Sequence, residues 1–559
     1  MGQLTLIYAD EPAGAKEGTT ASVSSVQEFC DPSSVLRFGN TVPQYATFED
    51  GYWILGRDFR LFPAQPEQVG WGVFSGEIAG PDGVFEHPIV LTLELDALYS
   101  AVAMSFSFDP YGPTWCTQMR VEWWRDEVLL SEADYAPDGW QFTCHNIVRS
   151  FNRVTVTFSR MSQGYRFLKL QSLTYGITRT FGGNELFALD LFQDTDLISN
   201  EVTVNTMNFT LRNTSGTAFL FQRKQVMRLT EGEELLGLYY ISDHEQTGEN
   251  RYNVSLVDMV GLAEMAGDHP GGVYEGVRAA DLVADILGDL PWRMDPELEN
   301  VPIYGWLPIA GKRDNLQQVA FALGAMVRTA RRDYIEITRP STAELKGSFA
   351  GEGKYENGKV KTGGLVTAVK VTAHRYTKKT EVETLYDESL DGTEEIEFSE
   401  PVWGLEIAGG TLLDSGANFA RFSGSGEVVT LTGKKYDHSK RVYTKRNPLV
   451  TANDAEKPVS YSDMTLVSPY NAASVLENCY RYNLRVDRVM GKILTGTQAP
   501  GDYVSILTET SGVRTGHLLS LDYVISAKTA AEAVVLADYV EEDVLPEPEG
   551  PEQGGEKTG

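Results

Sequence analysis

Aromatic side chains placed in turns are the residues of this sequence whose types best suit ligand binding. A segment of short predicted strands contains two turn-rich stretches, 109–113 and 137–139, and four aromatic residues lie in or beside them. Exposed rings can present flat faces to sugar rings, so this set is the candidate glycan-binding site. The other interpretation, which we favour, is that the same rings close the ends of a sandwich core. The four candidates are Tyr111, Trp115, Tyr135 and Trp140.

Two other positions carry side chains that could bind a metal or transfer a proton. Asp194 and Asp196 are spaced like the start of a calcium loop, but the later glycine and the bidentate glutamate are missing, so we expect an acidic turn. His374 lies within a predicted strand, and no serine or cysteine partner is implied nearby. An isolated histidine is more often a satisfied polar residue than a base. We expect no metal site and no cofactor.

The sequence lacks the common catalytic signatures. The string HEQTG at 244–248 has no second histidine for a zinc protease motif, and neither a GxSxG turn nor a GxxxxGK[ST] phosphate loop occurs. The GSG string at 424–426 lies between predicted strands, whereas dinucleotide binding requires a strand followed by a helix. The carboxylates are numerous but have no spacing that indicates a glycosidase pair. We expect no catalytic residues and no enzymatic activity.

Composition limits the classes of function. The 559 residues suggest about three to five domains, and 42% hydrophobic residues are enough for packed cores. Acidic residues outnumber basic ones by 78 to 48, which gives a formal charge of −30. That balance argues against a protein that binds nucleic acid by neutralising phosphates. Its simplest consequence is solubility.

Cysteine usage and hydropathy indicate a chain made in a reducing cytoplasm without a membrane span. The four cysteines contain no CxxC pair, so a zinc site is not expected. Cys116 and Cys144 fall in one predicted domain and could pair, but buried free thiols are the expectation in a reducing compartment. No secretory signal begins the chain, and the longest apolar run, 319–327, is far shorter than the ~20 residues needed to cross a bilayer.

Alternating apolar residues between turns predict a β-sandwich at 63–176. The runs at 89–95, 102–108, 119–123 and 154–158 alternate with a period of two, which is typical of half-buried antiparallel strands. Trp123 keeps the phase of its strand and is expected to be buried. The order of elements, ending in RFLKLQSLTYG, is similar to jelly-roll modules of the galactose-binding type.

The remainder of the chain alternates between strand and helix patterns. Period-two alternation resumes at 202–211 and 252–256, after which Asp258 begins a helix. Helical stripes follow in VRAADLVADILGDL and RDNLQQVAFALGAMV, the second aligned to Val327. Ser468 and Pro469 predict the start of a helix that runs to about Tyr480, and TAAEAVVLADYVEE predicts a closing helix.

Several strings resemble a known family. LISNEVTVNTMNFTLRN, LGLYYI and YNVSLVDMVGLAE are similar to the barrel segment of baseplate-hub or tail-tip proteins of tailed bacteriophages and related prophage particles. The resemblance continues at 301–340 and 364–390, and YATFEDGYWILGRDFRLFP at 45–63 resembles a segment of such proteins from phages of Gram-positive bacteria. Together these strings cover most of residues 36–540.

Pattern and resemblance together predict a mainly β, multidomain chain with α+β lobes, in which hub β-barrels are combined with an inserted jelly-roll-like sandwich. The predicted parts are an N-terminal hub segment at 1–62, the galactose-binding-like sandwich at 63–176, a first hub barrel at 177–264, an α+β lobe at 265–345, a second hub barrel at 364–470, a C-terminal α+β domain at 471–541 and a flexible acidic tail at 542–559.

The resemblance implies a structural virion protein. Such a hub would be a homotrimer with two similar barrels per subunit, whose six barrels join a six-fold tail tube or distal tail ring to three-fold tip components. Its partners would be the distal tail protein, the tape measure protein, receptor-binding proteins and a host cell-surface glycan. DNA would pass through its channel without specific binding. The location would be the virion tail tip, after assembly in the bacterial cytoplasm.

Two alternatives belong to other classes of function. One is a carbohydrate-binding tail adhesin that acts through the β-sandwich, with the rest of the chain as a stalk. The other is a cell-wall hydrolase, since some members of the family carry an endopeptidase after the hub region. The sequence here reaches Gly559 without such a domain, so a hydrolase is not expected.

Overall fold

The computed structural model describes residues 4–36, 42–50, 52, 59, 61, 70–112, 114–182, 185–213, 219–232, 234–350, 356–448, 450–451, 456–510, 512–525 and 529–538. The chain divides into two compact units. The first holds residues 1–191, 205–265 and 331–333, and the second holds residues 192–204, 266–330 and 334–559. The predicted tail at 542–559 lies outside the described residues.

Strands dominate the chain before residue 265. In chain order they are β1 (Leu4–Ala9), β2 (Thr19–Val23), β3 (Val73–Ile78), β4 (Val84–Phe108), β5 (Cys116–Arg125), β6 (Val128–Tyr135), β7 (Gln141–Met161), β8 (Phe167–Thr174), β9 (Thr178–Phe181), β10 (Leu186–Asp194), β11 (Thr206–Arg212), β12 (Val226–Glu231), β13 (Glu234–Gly248) and β14 (Arg251–Val257). A 3₁₀ helix at Pro32–Leu36 and helix α1 (Met259–Glu264) complete this part.

Strands β2 to β8 form a sheet that we call the seven-stranded module. Among the described residues the strand order is β3-β8-β4-β7-β5-β6, and β2 pairs with β4 from a position before the predicted boundary at 63. Antiparallel pairing of β7 with β4 and β5 places alternate apolar side chains in one core, as the sequence pattern predicts. Trp123 is buried there, with its ring centroid 4.6 Å from that of Phe151, which confirms the prediction.

The first unit also contains an antiparallel ladder with the order β11-β14-β13-β12-β1-β9. Alternate residues of β11, namely Met207, Phe209 and Leu211, are buried on one face of this ladder. The first strand of the chain, β1, pairs with both β12 and β9, so N-terminal residues complete this ladder. Asp258 ends β14 and begins α1 as predicted, because its Oδ1 accepts the N–H of Gly261 at 3.0 Å.

The second unit holds the remaining strands and helices. Its strands are β15 (Asp268–His269), β16 (Gly272–Arg278), β17 (Trp292–Met294), β18 (Pro302–Leu307), β19 (Ala310–Gly311), β20 (Met326–Arg328), β21 (Ile335–Thr338), β22 (Gly347–Phe349), β23 (Lys359–Thr362), β24 (Ala368–Glu397), β25 (Val402–Ala408), β26 (Gly410–Ser415), β27 (Phe419–Arg446), β28 (Pro458–Tyr461), β29 (Asp487–Leu494), β30 (Tyr503–Leu507), β31 (Val513–Ile525) and β32 (Thr529–Ala537). Its helices are α2 (Ala279–Leu287), α3 (Pro296–Glu299), α4 (Lys312–Leu323) and α5 (Ala472–Leu484).

Helices α2 and α4 form where the apolar stripes predict them. α2 buries one stripe of Ala279, Leu282, Val283, Ile286 and Leu287. α4 ends at Leu323, before the predicted Val327, because Gly324 takes a left-handed conformation with φ of 64° and caps the helix. The chain continues as β20, which pairs antiparallel with β21, and β17 pairs parallel with β21.

A long hairpin occupies the segment predicted as a second barrel. Strands β24 and β27 pair antiparallel from Ala368 opposite Arg446 to Glu397 opposite Phe419. β25 and β26 pair with β27, and β28 pairs parallel with β24. Within the described residues these five strands have two separate cores: one where α5 packs near β28, and one around Phe422 and Leu431.

The strands near the end of the chain pair with one another in the order β23-β29-β32-β31-β30-β22. The predicted closing helix is wrong over its described part, since residues 529–537 form β32. Ala531, Ala533 and Val535 are buried on alternate positions, and this tertiary packing overrides the helix preference of alanine. Helix α5 begins after Asn471 and not at Ser468, and it extends past Tyr480 to Leu484.

The class of the fold follows from these elements. The prediction of a mainly β, multidomain chain with helices confined to small α+β parts is confirmed. The boundaries of the individual predicted domains stay predictions.

Candidate binding site in the seven-stranded module

Two of the four predicted glycan-binding aromatics are tied into the packing of the module. Tyr111 is half-buried against a small core around Phe74, and its Oη donates to the carbonyl oxygen of Val42 at 2.8 Å. Trp115 packs against the main core, and its Nε1 donates to the carbonyl oxygen of Pro137 at 3.1 Å. The polar group of each ring donates its hydrogen bond to a backbone carbonyl oxygen of the module. Both residues therefore fit the interpretation that aromatic side chains close the ends of the core.

The other two aromatics lie in different surroundings. Tyr135, the last residue of β6, packs against the main core with its ring centroid 6.1 Å from that of Phe142. Trp140 is 43% exposed and carries the largest exposed area fraction of the four. The structure therefore does not gather the set on one shared binding face, and only Tyr135 among them lines a cavity described below.

A cavity of about 710 Å³, which we call the polar cleft, opens at one end of the module. It lies where β5 begins, where β6 and β7 end, and beside the turn at 81–83. Its lining offers several donors and acceptors around one aromatic ring. The polar members are Asp82, Thr117, Gln118, Asp134, Tyr135, Arg160, Ser162 and Gln163.

Hydrogen bonds to backbone carbonyl oxygens connect the segments that line the polar cleft. The N–H of Met161 donates to the carbonyl oxygen of Gly83 at 2.8 Å, and Arg160 Nε donates to that of Asp82 at 3.2 Å. Gly83 has φ of 82°, and a Cβ there would lie 2.6 Å from the Met161 oxygen. A Cβ on Gly164 would lie 2.3 Å from the oxygen of Pro81. Only glycine fits these two positions, so the cleft is built into the fold.

A buried ionic cluster was not predicted from the sequence. Lys169 in β8 is 2% exposed and pairs with Glu49, and its Nζ lies 3.6 Å from Asp109 Oδ2 and 4.2 Å from the ring of Tyr52. Asp109 Oδ1 in turn accepts the N–H of Tyr111 at 2.9 Å. The cluster therefore fixes the turn that carries Tyr111. A lysine inside the apolar string FLKLQSL was the only sequence signal for it.

His374 is a satisfied polar residue, as predicted. It is buried, its Nε2 lies 2.9 Å from the carbonyl oxygen of Ser462, and its Nδ1 lies 2.9 Å from Nε2 of His438. Burial lowers the pKa of the His374 imidazole, and partial desolvation of the ring lowers that of His438, which lies at an otherwise exposed position. His438 could not be identified from the sequence, because it lies 64 residues from His374 and reaches it only through the pairing of β24 with β27.

The acidic turn at Asp194 and Asp196 holds backbone, as expected. Asp196 accepts the N–H of Ile198 at 3.1 Å and that of Glu201 at 3.2 Å, and Asp194 accepts that of Thr195 at 2.8 Å. Burial raises the pKa of both carboxyl groups. Within the part of the chain that the structure describes, no group of three or more histidine, cysteine, aspartate or glutamate side chains is arranged to hold a metal ion.

The cysteines are free and buried. Cys116 and Cys144, whose pairing the sequence left open, are separate thiols, and so are Cys30 and Cys479. Burial raises the pKa of the Cys116 thiol to about 11, which keeps it protonated and unreactive at neutral pH. None of the helices in the described ranges has the length and apolar character to cross a membrane.

No protein-family model matches the chain, and no curated protein matches it. The tail protein from Neisseria meningitidis MC58 is 10% identical, with 63% of this chain and 91% of that chain covered at a TM-score of 0.39. The prophage MuSo2 tail protein from Shewanella oneidensis is 10% identical, with 64% and 95% covered at 0.38.

A third similar structure is the family 32 carbohydrate-binding module of C. perfringens NanJ, solved in complex with galactose. It is 13% identical, and the match covers 31% of this chain and 99% of that chain at a TM-score of 0.19. At identities this low, function has to be argued from the residues of this chain.

Proposed function

We propose that the chain is a structural protein of a bacteriophage or phage-like tail tip, the central hub below the tail tube. The observation that carries this proposal is where the hub-like strings fall in the fold. VTVNTMNFTLRN, LGLYYI and YNVSLVDMVGLAE cover β11, part of β13, and β14 with α1. Strand β14 pairs with both β11 and β13, so the resemblance coincides with one contiguous ladder.

A hub of this kind needs two similar ring-forming sheets per subunit. The first would be the β11-β14-β13-β12-β1-β9 ladder. The assignment of the second to the segment 364–470 stays a prediction. We favour instead the strands β22, β23 and β29–β32, because several alternate residues of β31 and β32 are buried, whereas the long hairpin leaves most of its outer side chains exposed. Three subunits with two sheets each would offer six similar contacts to a six-fold tube.

The partners follow from that position. The homotrimer would contact the distal tail protein and the tape measure protein at the virion tail tip, with receptor-binding proteins attached at the side of the host cell. Its role would be structural and not catalytic, since His374 and Asp196, which could have done chemistry, both hold backbone groups. DNA would pass without specific binding.

Mass measurement and imaging of the purified full chain test the hub proposal. Native mass spectrometry should give three times the mass of the 61.8-kDa chain, and class averages of that species by electron microscopy should show a ring with pseudo-six-fold density. A two-fold dimer, or a ring with only three equivalent lobes, would contradict the proposal.

A second candidate function is glycan binding by the seven-stranded module, as in a tail adhesin. The observation that favours it is the polar cleft, in which Tyr135 and Arg160 stand among several hydrogen-bonding side chains. Sugar sites in general combine one aromatic face with convergent polar groups. In this proposal Tyr135 keeps the role predicted for it, while Tyr111 and Trp115 support the fold.

A glycan array probed with the full chain separates the two versions of this second candidate. Binding through the polar cleft should be lost in Arg160→Ala and kept in Trp140→Ala, whereas binding by exposed turn aromatics should show the reverse. Arg149, an exposed arginine of β7 outside the cleft, provides the matched control as Arg149→Ala. An array without signal for the unmodified chain would remove glycan binding from consideration.

A further inference from the structure

A basic pocket lies in the second unit of this strongly acidic chain. The cavity has a volume of about 270 Å³ and is lined by residues from several elements. Its polar members, which define the basic pocket, are Arg339, Thr342, Asn478, Arg481, Arg485 and His517. Three guanidinium groups around one cavity are unexpected in a chain with a formal charge of −30.

The innermost polar group of the basic pocket is a neutral histidine. His517 is 1% exposed, and its Nδ1 lies 3.0 Å from Nη1 of Arg485. A guanidinium group can only donate, so Nδ1 is the acceptor and the ring proton is on Nε2. Burial, and next to it the charge of Arg485, lowers the pKa of His517 to about 4.

The proton on Nε2 of His517 has no acceptor in the part of the chain that the structure describes. The backbone of Ser341 interacts with the imidazole strongly enough to raise its pKa, but no acceptor meets hydrogen-bond geometry at Nε2 among the described residues. Buried N–H groups are rarely left without a partner, because an unsatisfied donor costs about 1–3 kcal/mol. An unused donor at the wall of a cavity indicates a ligand with an acceptor oxygen.

The arginines keep donors for such a ligand. The guanidinium of Arg339 has no ion pair or hydrogen bond with any described residue. Arg485 Nε lies 3.9 Å from Asp538 Oδ1, beyond hydrogen-bond distance, and Arg481 pairs with Glu477 through Nε at 3.0 Å. These three cations have two carboxylates as ion-pair partners, one of which, Glu477, is also shared with a lysine. The guanidinium of Arg339 is left without a carboxylate partner among the described residues.

Helix packing explains only part of this arrangement. Arg481 and Arg485 lie at the last turn and C-cap of α5, where cations are favoured by the helix dipole. That reason does not apply to Arg339, which follows β21, or to the buried His517 of β31. Their convergence on the same cavity points to a ligand.

We propose that the basic pocket binds a phosphate group, either as inorganic phosphate or as the phosphate ester of a small polyol. Guanidinium forks match phosphate oxygens, and several guanidinium donors around one cavity suit an anion with four oxygens better than a planar carboxylate with two. The volume is slightly below the ~300 Å³ typical of the smallest ligand sites, which suits one phosphate group with a short organic substituent.

Calorimetric titration of the full chain at neutral pH and constant ionic strength tests the proposal. Inorganic phosphate and glycerol phosphate should each bind, while acetate at the same ionic strength should not. If only glycerol phosphate binds, the pocket also recognises the polyol. If both ligands bind with the same affinity, the pocket recognises the phosphate group alone. Acetate binding as tightly as phosphate, or absence of binding by both phosphates, would overturn the proposal.

Two matched variants separate the pocket from general charge effects. Arg339→Gln removes a cation without a structural partner and should weaken phosphate binding at least about tenfold, or ~1.4 kcal/mol. Arg446→Gln makes the same change at an exposed position of β27 outside the pocket and should leave binding unchanged. Equal binding by the two variants would show that phosphate is bound elsewhere. Circular dichroism spectra matching that of the unmodified chain confirm that both variants fold.

Discussion

The contact between His374 and His438 has room for only one extra proton. The carbonyl of Ser462 can only accept, so His374 carries a proton on Nε2 and accepts through Nδ1 from Nε2–H of His438. One added proton can be placed on His374 Nδ1 if His438 moves its own proton to Nδ1. A second added proton would set two N–H groups against each other at 2.9 Å.

This pair predicts a loss of stability in mild acid. Desolvation comes first among the causes that lower the pKa of both imidazoles, although His438 is itself exposed, and Lys440 acts in the same direction. The hydrogen bond to Ser462 and the charge of Asp463 oppose the shift for His374, and Glu400 and Asp437 oppose it for His438. Since the folded pKa lies below the unfolded value, the contribution is present above about pH 6.5 and is lost as pH falls below it.

Thermal melts at stepped pH values check this prediction. The second unit should melt at lower temperature as pH falls from neutral to about 5, and His438→Gln should flatten that dependence because it removes one of two coupled titrations. His87→Gln, at a largely exposed position of the first unit, should leave the slope unchanged. A slope that is the same in all three proteins would contradict the proton count.

The buried cluster around Lys169 predicts a large effect of a single substitution. Lys169→Met should destabilise the seven-stranded module by about 3–5 kcal/mol, because Glu49 and Asp109 would remain buried without their cation. Urea denaturation followed by tryptophan fluorescence measures this change. Arg149→Met replaces an exposed cation of the same sheet and should change stability by less than about 0.5 kcal/mol. Equal effects of the two substitutions would show that Lys169 does not neutralise the cluster.

At the scale of elements, the turn after α4 tests whether close packing, in addition to backbone conformation, requires glycine at position 324. Gly324 has φ of 64°, and a Cβ there would lie 2.0 Å from Asn478 Nδ2. Gly512 has φ of 70° with nothing within 4 Å of its would-be Cβ. The two glycines therefore have the same backbone requirement but different surroundings.

Alanine substitution at these two glycines should give different costs. Gly512→Ala should cost about 1 kcal/mol for the left-handed backbone alone. Gly324→Ala should cost about 1–3 kcal/mol more, because Asn478 has to move out of a packed position. Differential scanning calorimetry of the full-length variants measures both changes. Similar costs would mean that Asn478 rearranges freely.

Elements with a clear period were predictable from sequence, and elements decided by distant partners were not. The apolar stripe of α2 and the alternation along β11 needed no tertiary information. Strand β32 did, because TAAEAVVLA has an alanine content that favours helix and becomes a strand only between β29 and β31. The joining of β1 to β12 spans more than 200 residues, and no local pattern indicates it.

The candidate site shows the same limit. Trp123 was predicted to be buried from its phase within one strand, and that needed only local information. The polar cleft depends on three strand ends and a turn that are far apart in sequence, so Tyr135 could be named but Arg160 could not. The basic pocket was missed for the same reason, since its arginines lie in different local patterns.

At the scale of the whole molecule, the charge balance predicts how the chain behaves toward DNA. A formal charge of −30 repels a polyanion, and non-specific binding depends on releasing counterions from phosphates through clusters of cations. One basic pocket with three arginines can hold a single phosphate group but cannot follow a duplex backbone. A hub that surrounds an exit channel would benefit from this, because DNA would not adhere in transit.

Electrophoretic mobility shift with duplex DNA across a salt series measures that behaviour. No shifted band should appear even at low ionic strength, where surface electrostatics are strongest. A chain in which three exposed acidic residues of the long hairpin are reversed, Glu381→Lys, Glu388→Lys and Glu395→Lys, tests whether charge is the cause, since it should begin to retain DNA at low salt only. Retention of DNA by the unmodified chain, with an affinity that falls steeply as salt rises, would reveal a basic track and contradict the role of passive channel wall.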